Sequence, residues 1–465
     1  MSNIDYIARF SMRRMSGFLL TAAALLAIPL SALAQVPDVL TSPPNIVVPN
    51  YEGIPVGPYA GLESSAYVAR IDDPSAAWIN PAGLSRAKGA QLSGSAGLYQ
   101  YTKVSPNISP GAGSAVQHVP NLVGFTMQGG PKFSLGIAFL TPVSWSQTTN
   151  LEVLRPPGSN QERVAYSADS EFYRRSVAAS AGYDSGKNWR VGGGLTFMYT
   201  SLTMSQTISD RIADPTGLRT LLVSSNIRGS DTKIGAVGGI QVDLHPRIRV
   251  GGVIRTSGFS LYRSGSATLD GTDKSGAASD GASFFDPHAE FHYKLPFEAT
   301  GSIAFIGKRG EVETAVHGYT SQSPYDLISS PVEAIVYHDD GLGGPATFTK
   351  HPFPGLTAAS RAIANVSAGG HYKLFSDKEL RLHFGVTTDL SPVGPEDQVF
   401  DKVDLTSWTF GVSGKVQKLT FAGGFNYRSG TTDSVTVKNL IDQQPISTNI
   451  HIRTAGMIYS ISYQF

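Results

Sequence analysis

The chain contains no cysteine, which excludes disulfides, thiolate nucleophiles and Cys-based metal sites together. It is also short of charge. Asp, Glu, Lys and Arg make up 16% of the residues, against roughly 25% in an ordinary soluble domain. Neither sign predominates, since the formal net charge is +1. No basic cluster supplies the electrostatic footprint of a nucleic-acid-binding surface, so nucleic acid is not an expected partner. Walker A, G-x-S-x-G and H-E-x-x-H patterns are missing, and the 10 His are scattered; no enzyme, cofactor or metal is expected from these motifs. Beyond Gln35 there is no apolar run of the about 18 residues that a spanning helix needs. A membrane protein without such a run has one other architecture open to it, the closed β-barrel, because only helices and closed barrels satisfy every backbone group in lipid.

The start of the chain has the pattern of a cleaved secretory signal over residues 1–34. Arg9, Arg13 and Arg14 form a positive region, Gly17 to Leu30 is free of charge, and Ala32-Leu33-Ala34 supplies a small-x-small cleavage pattern before Gln35. The shortness of the run and Pro29 argue against a membrane anchor. Residues 35–58 form a Pro-rich extension with Pro37, Pro43, Pro44, Pro49, Pro55 and Pro58. Three placements are open for it: inside a lumen, extended in the periplasm, or against a periplasmic partner.

From residue 89 onward the chain alternates. Trp189, Val191, Gly193, Leu195, Phe197 and Tyr199 oppose Arg190, Gly192, Gly194, Thr196 and Met198. Leu380, Leu382, Phe384, Val386 and Leu390 oppose Arg381, His383, Gly385, Thr387 and Asp389. Period two with one apolar face is the mark of a strand. Short polar turns near 129–132, 184–187, 243–246, 308–310, 376–378 and 414–417 alternate with long connections near 105–118, 149–168, 208–228, 269–286, 324–360, 391–403 and 430–448. Short turns inside and long loops outside are the asymmetry of an outer-membrane barrel. About fourteen strands are predicted, at 89–104, 119–129, 132–148, 169–185, 188–207, 229–243, 247–268, 287–307, 310–323, 361–375, 378–390, 404–414, 417–429 and 449–465. The stretch 324–360 has room for part of another. In the last strand Ala455, Met457, Tyr459, Ile461, Tyr463 and Phe465 share a face. Tyr463 and the terminal Phe465 are the candidate signal for the barrel-assembly machinery. The fold class is thus all-β, a transmembrane antiparallel barrel.

The most specific stretch precedes the first strand. It reads Ala66-Tyr67-Val68-Ala69-Arg70-Ile71-Asp72-Asp73-Pro74-Ser75-Ala76-Ala77-Trp78-Ile79-Asn80-Pro81-Ala82-Gly83-Leu84. It resembles the N-terminal hatch of the outer-membrane long-chain fatty-acid transporter family, the FadL/TodX type. Leu295-Pro296-Phe297-Glu298 leading into Gly301 is similar to a family strand. The resemblance implies a fourteen-stranded barrel with a small N-terminal hatch (residues 59–88) in the lumen and the barrel over 89–465. It also implies a passive channel in the Gram-negative outer membrane for hydrophobic small molecules, long-chain fatty acids or aromatic hydrocarbons. The partners it implies are that ligand, outer-membrane lipid and the assembly machinery, with a monomer expected.

Within the hatch, Asp72 and Asp73 are placed to cap a short helix, Ser75 stands in the same motif, and Asn80-Pro81 ends the helix. Gly83 lets the backbone turn into the first strand, between Ala82 and Leu84. Two roles are open for these residues: seating the hatch, or gating and ligand contact. The resemblance also implies release by movement of the hatch or through an opening in the wall at a kinked third strand, for which Gly136 and Pro142 are the candidates; Pro142 could instead mark the strand end. Arg174, Arg255 and Glu313 are expected to seat the hatch or to face water. Asp270, Asp273, Asp280 and Asp286 in one outer loop fit no EF-hand spacing. A structural or adhesive barrel and a general porin for polar solutes are the competing readings.

Overall fold

The computed structural model describes residues 47–53, 56–87, 89–106, 113–154, 161–214, 217–353, 355–376, 379–432, 435–438 and 445–465. The expected signal segment and residues 35–46 of the extension lie outside the described residues.

Two short turns of helix precede the strands: α1 (Ala76–Ile79) and a 3-10 turn over Pro81–Arg86. The strands are β1 (Gln91–Pro106), β2 (Gly113–Gly130), β3 (Phe133–Leu154), β4 (Gln161–Asp184), β5 (Trp189–Asp214), β6 (Gly217–His245), β7 (Ile248–Arg255), β8 (Phe259–Ser275), β9 (Ala278–Asp286), β10 (Glu290–Phe291), β11 (Glu298–Ile306), β12 (Gly310–Tyr319), β13 (Gln322–Ser329), β14 (Glu333–Asp339), β15 (Thr347–Pro352), β16 (Leu356–Ser360), β17 (Ile363–Lys373), β18 (Leu380–Asp389), β19 (Asp404–Val416), β20 (Leu419–Thr431), β21 (Val435–Lys438), β22 (Pro445–Thr448) and β23 (Ile450–Gln464). Fourteen of them form a closed antiparallel barrel. Strands β1 to β7 pair in sequence, β7 pairs with β11, and β11, β12, β17, β18, β19, β20 and β23 follow. Fourteen pairs from Gln91↔Gln464 to Pro106↔Ile450 then join β1 to β23 and close the ring.

The period-two pattern decides which face meets lipid. Val191, Leu195, Phe197 and Tyr199 of β5 are exposed, while Thr196 and Met198 are buried. Met457, Tyr459, Ile461, Tyr463 and Phe465 of the last strand are exposed, while Ile458 and Ser460 are buried. Large apolar side chains therefore point outward around the ring, and polar ones such as Thr126, Ser176, Gln241, Asn365 and Ser407 point inward. Outward aromatics collect at two levels. Trp189, Tyr183, Phe133 and Tyr463 stand near the short turns, and Tyr199, Trp408 and Tyr427 stand farther along. An apolar band of about 25 Å between aromatic girdles is the lipid-facing surface of a membrane barrel. No helix among the described residues is long and apolar enough to cross a membrane.

Strands β2 to β6 run longer than predicted. They continue through much of the stretches 105–118, 149–168 and 208–228 expected as long connections. Two further predicted strands differ in course. The span 247–268 is interrupted at Thr256-Ser257-Gly258, where Gly258 takes a φ of +71°. Below the break β7 pairs with β6 and β11; above it β8 stays on β6 and pairs with β9. The span 287–307 contributes only β11 to the ring. Its first part turns inward, with Phe291 fully buried against Gly229 and Gly265. A small sheet of β10, β13 and β16 forms there. The loop 324–360 is thus built of strands, with β14 and β15 extending the sheet beyond β9. Local alternation could not separate these from wall strands, because inward-folded strands have the same period.

An arginine placed on the lipid face near mid-bilayer is costly, about 2–4 kcal/mol. Leu195→Arg is expected to lower folding stability in vesicles by that amount in urea titration, while Lys187→Leu, exposed at the turn, changes it far less.

Candidate functional site

Residues 47–53 and 56–87 lie against the inner face of the barrel. Their backbone approaches the wall where the wall has no side chains. A Cβ on Gly192 or Gly182 would fall 2.3 Å and 2.7 Å from backbone atoms of Pro81. One on Gly251 would fall 2.8 Å from Ala69, and on Gly369 and Gly385 2.3 Å and 2.4 Å from the Glu63 backbone. Inward-facing glycines are thus sites of close approach, which accounts for part of the chain's 50 Gly.

Charge fixes the segment as well. Arg70, whose side chain is 1% exposed, pairs with Glu63 of its own segment and, at 2.9 Å, with Glu313 of β12. The other Glu313 oxygen accepts the Val68 and Ala69 N–H groups, each at 2.7 Å. One wall carboxylate thus holds a guanidinium and two backbone amides. Burial alone would raise the Glu63 carboxyl, but the Arg70 charge and the hydrogen bonds from His371 and His383 outweigh it and hold it at about 2. Elsewhere Arg255 pairs with Glu298, donates to the Trp78 carbonyl at 2.8 Å and lies 3.9 Å over the Trp78 ring. Gln241 donates to the Val68 and Ile71 carbonyls. Of the charged residues singled out from sequence, Glu313 and Arg255 therefore touch the segment directly; Arg174 lines a small cavity beside Tyr51 and Glu52.

The motif residues fall as follows. Asp72 accepts the Tyr67 hydroxyl at 3.2 Å. Asp73 is buried and accepts the Ser75 N–H and hydroxyl. The helix N-cap is Ser75, with no side-chain cap bond, so the two aspartates do not cap α1 as the sequence suggested; Asp73 instead folds the turn ahead of it. Asn80 ends α1 in extended conformation. Its amide donates to the carbonyls of Val68 and Ile240, and its Oδ1 accepts Ala82 N–H. Pro81, Ala82 and Leu84 are buried in the 3-10 turn. Gly83 has no left-handed φ; a Cβ there would strike the Ile71 carbonyl oxygen at 2.4 Å, so it serves contact rather than a turn into the first strand. Gly136 pairs regularly with Thr126 and Ser180, so the ladder is unbroken there, and a Cβ on it would fall 2.6 Å from the Leu84 side chain. Tyr463 and Phe465 lie outside the barrel with rings 4.9 Å apart.

Beyond the motif, Val47 to Gly53 of the Pro-rich extension also run inside. Asp401 accepts the Val47 N–H and donates its own N–H to the Val47 carbonyl, both at 2.9 Å. Burial pushes the Asp401 carboxyl up to about 7, against the lowering hydrogen bond from Val47 and with the Asp397 charge adding to the rise. Asn50 donates to the carbonyls of Asp389 and Val403, and Glu52 accepts the Tyr319 hydroxyl at 2.7 Å. Above this stretch Val47 and Val48 join an apolar cluster with Trp145, Phe172, Met198, Leu202, Phe291 and Phe400. Nothing in the spacing of residues 47–53 pointed to these contacts, whose partners lie hundreds of positions away.

The wall is interrupted at Pro142. The β3–β4 register shifts between Leu140 and Val143. On the other side the run of β2–β3 pairs stops at Leu122↔Leu140, leaving Ser114↔Thr148 beyond. A proline removes a donor and is confined to such breaks, and Pro120 of β2 stands across the gap. A cavity of about 710 Å³ lies there. Its lining includes Leu122, Leu140 and Met198 from the buried inner face and Val123, Phe139 and Phe197 from the exposed outer face.

Two outcomes follow. Gly192→Leu puts a side chain where Pro81 sits; the barrel is expected to fold, by heat-modifiable migration, while amides of residues 66–84 lose protection from hydrogen exchange. Burial raises the Asp73 carboxyl to about 7, against the hydrogen bonds from Ser75. The folded chain then keeps a proton that an unfolded Asp gives up at about 4. Stability from this group is full below that value and is lost as pH rises through about 7. Asp73→Asn is expected to flatten that part of the pH profile of segment exchange.

No family profile and no curated protein sequence matches the chain. Solved structures do. A Pseudomonas aeruginosa FadL homologue shares 14% identity at a TM-score of 0.56, over 90% of this chain and 99% of that one. The P. putida toluene transporter TodX shares 14% at 0.55, over 89% and 98%. The Ralstonia pickettii toluene transporter TbuX shares 13% at 0.52, over 90% and 99%. The chain therefore has the fold of the FadL-type transporter barrels.

Proposed function

We propose that the protein is a FadL-type channel of the Gram-negative outer membrane that carries hydrophobic small molecules inward without an energy source, its segment 47–87 acting as the plug. The observation that carries this reading is the interruption at Pro142, where one cavity is lined by both faces of the wall. Met198 belongs both to the apolar cluster around Trp145 and Phe172 and to the lining of this cavity, which is mainly apolar with Glu171 and Arg175 also on it. Each Å² of apolar solute surface kept from water is worth roughly 25 cal/mol, so such a molecule favours this route over the polar periplasm. The seated segment keeps the lumen from conducting ions meanwhile. The fold shared with two toluene transporters supports a hydrophobic ligand, and the cavity favours an apolar or long-chain solute over a polar one. Seating is the role assigned to Asp72, Asp73, Ser75 and Asn80, and Tyr463 and Phe465 are assigned to recognition by the assembly machinery.

The test is uptake by a strain lacking the gene and by the complemented strain, using labelled oleate, toluene and a small sugar. Restoration of oleate or toluene uptake, with sugar uptake unchanged, is expected. A chain lacking Pro142 alone, which removes the one-residue shift between β3 and β4, is expected to fold and to lose at least tenfold in uptake. Gene-dependent sugar uptake alone would establish a general porin instead.

A further inference from the structure

Among the described residues, one group of His, Asp or Glu converges as metal ligands do: Glu63, His371 and His383, all buried, with donor atoms within 4.8 Å of one another. His371 and His383 are a directly opposed pair on β17 and β18. Both rings point into the lumen, and Glu63 reaches them from the N-terminal segment. Its Oε1 lies 2.8 Å from His383 Nδ1 and 3.0 Å from His371 Nδ1.

The surroundings suit a cation. His383 Nε2 lies 2.7 Å from Ser413 Oγ, the outer hydrogen bond that orients a ligating imidazole and fixes its tautomer. Glu63 turns its other oxygen to Arg70, so Oε1 is left to the histidines. Glu63, Glu311 and Glu313 surround the single Arg70. The next cation, Arg381, lies over the Tyr59 ring that stacks on His383, so three carboxylates face two guanidinium groups and the cluster keeps an acidic balance toward a divalent ion. Arg70 Nη1 is 3.5 Å from His371 Nδ1, but its charge is already shared among the three carboxylates. Glu63 is presented by a strained turn, for Ser64 and Ser65 both have left-handed φ, 49° and 66°. The strain is held by Ser64 Oγ, 2.9 Å from Thr409 Oγ1, and by the bare wall at Gly369 and Gly385. Strain of this kind collects at functional positions. Arg70 and His371 also line a cavity of about 610 Å³ at the short-turn end of the barrel, which gives a hydrated ion a way in.

We propose that Glu63, His371 and His383 bind one divalent first-row cation, with Zn²⁺ the best fit to two imidazoles and a carboxylate. A water from the cavity would complete four-coordination. Zn–N and Zn–O bonds of about 2.0–2.2 Å need donor atoms slightly farther apart than the present contacts. On binding, the proton that each Nδ1 donates to Oε1 passes to solvent and Nε2 takes one up, so each Nδ1 lone pair turns to the ion and two hydrogen bonds to Oε1 are exchanged for metal bonds. The bound ion ties the segment to two adjacent wall strands. It is a clamp on the segment, separate from the interruption at Pro142.

The full chain, purified in detergent and stripped of metal, is titrated with Zn²⁺ by calorimetry beside the double variant His371→Gln/His383→Gln. Heat-modifiable migration confirms that both are folded. One Zn²⁺ per chain is expected, at least a hundredfold weaker in the variant, together with slower amide exchange at residues 62–70 in the unmutated chain only. Should the double variant fail to fold, His371→Gln alone, at the cavity edge, is expected to weaken binding at least tenfold. Absence of Zn²⁺ binding, equal affinity in the variants, or binding that leaves exchange at residues 62–70 unchanged would overturn the proposal.

Discussion

A wall in contact with lipid cannot leave backbone N–H and C=O groups unpaired, since each would cost several kcal/mol. Closing the sheet is the solution here, and the pairing of β1 with β23 is where the requirement is met. The rest follows from closure. A closed sheet has an inside, and period two sends every second side chain into it. A ring of this size would hold water unless filled. The chain fills it with its own N-terminal segment, seated by inward glycines and by the Glu313–Arg70–Glu63 contacts.

The buried ion pairs are a means of register rather than a large source of stability. Taking charges out of water roughly cancels the attraction between them, but removing one partner leaves the other stranded. Glu313 illustrates this. Its two oxygens hold the Arg70 guanidinium and two successive amides, so a one-residue slip of the segment would strand all three. Asn80 does the same with neutral groups, joining Val68 to Ile240 across the segment–wall boundary. Where the wall departs from its ladder, at Pro142 and at Gly258, the interior changes from polar packing to the apolar cluster around Phe172 and Phe291.

The fourteen wall strands were legible because lipid outside and polar surface inside impose alternation on each strand separately; Leu195 against Thr196 is enough to show it. The strand ends agree with the alternation wherever a short turn bounds them. The loop between β12 and β17 was not legible, because β13 and β16 fold inside and carry the same alternation without belonging to the wall. The site was legible in part. Asn80 and Pro81 stood in a recognisable stretch, and Glu313 and Arg255 were expected to seat the hatch or to face water. The partners of Glu63, at positions 371 and 383, were not, because no spacing rule links residues brought together by barrel closure. Gly83 and Asp73 show a different limit, in which residue type announced a turn or a cap but contact with Ile71 and Ser75 determined the role.

The central claim is that residues 47–53 and 56–87 sit inside the closed barrel. Because the chain has no cysteine, a disulfide between Ala77→Cys and Ser180→Cys reports on it directly; Ser180 Oγ donates to the Ala77 carbonyl at 2.8 Å. Oxidation in intact cells should link the two positions in the heat-modifiable, membrane-inserted fraction. An inserted, folded barrel in which the link does not form would contradict the account.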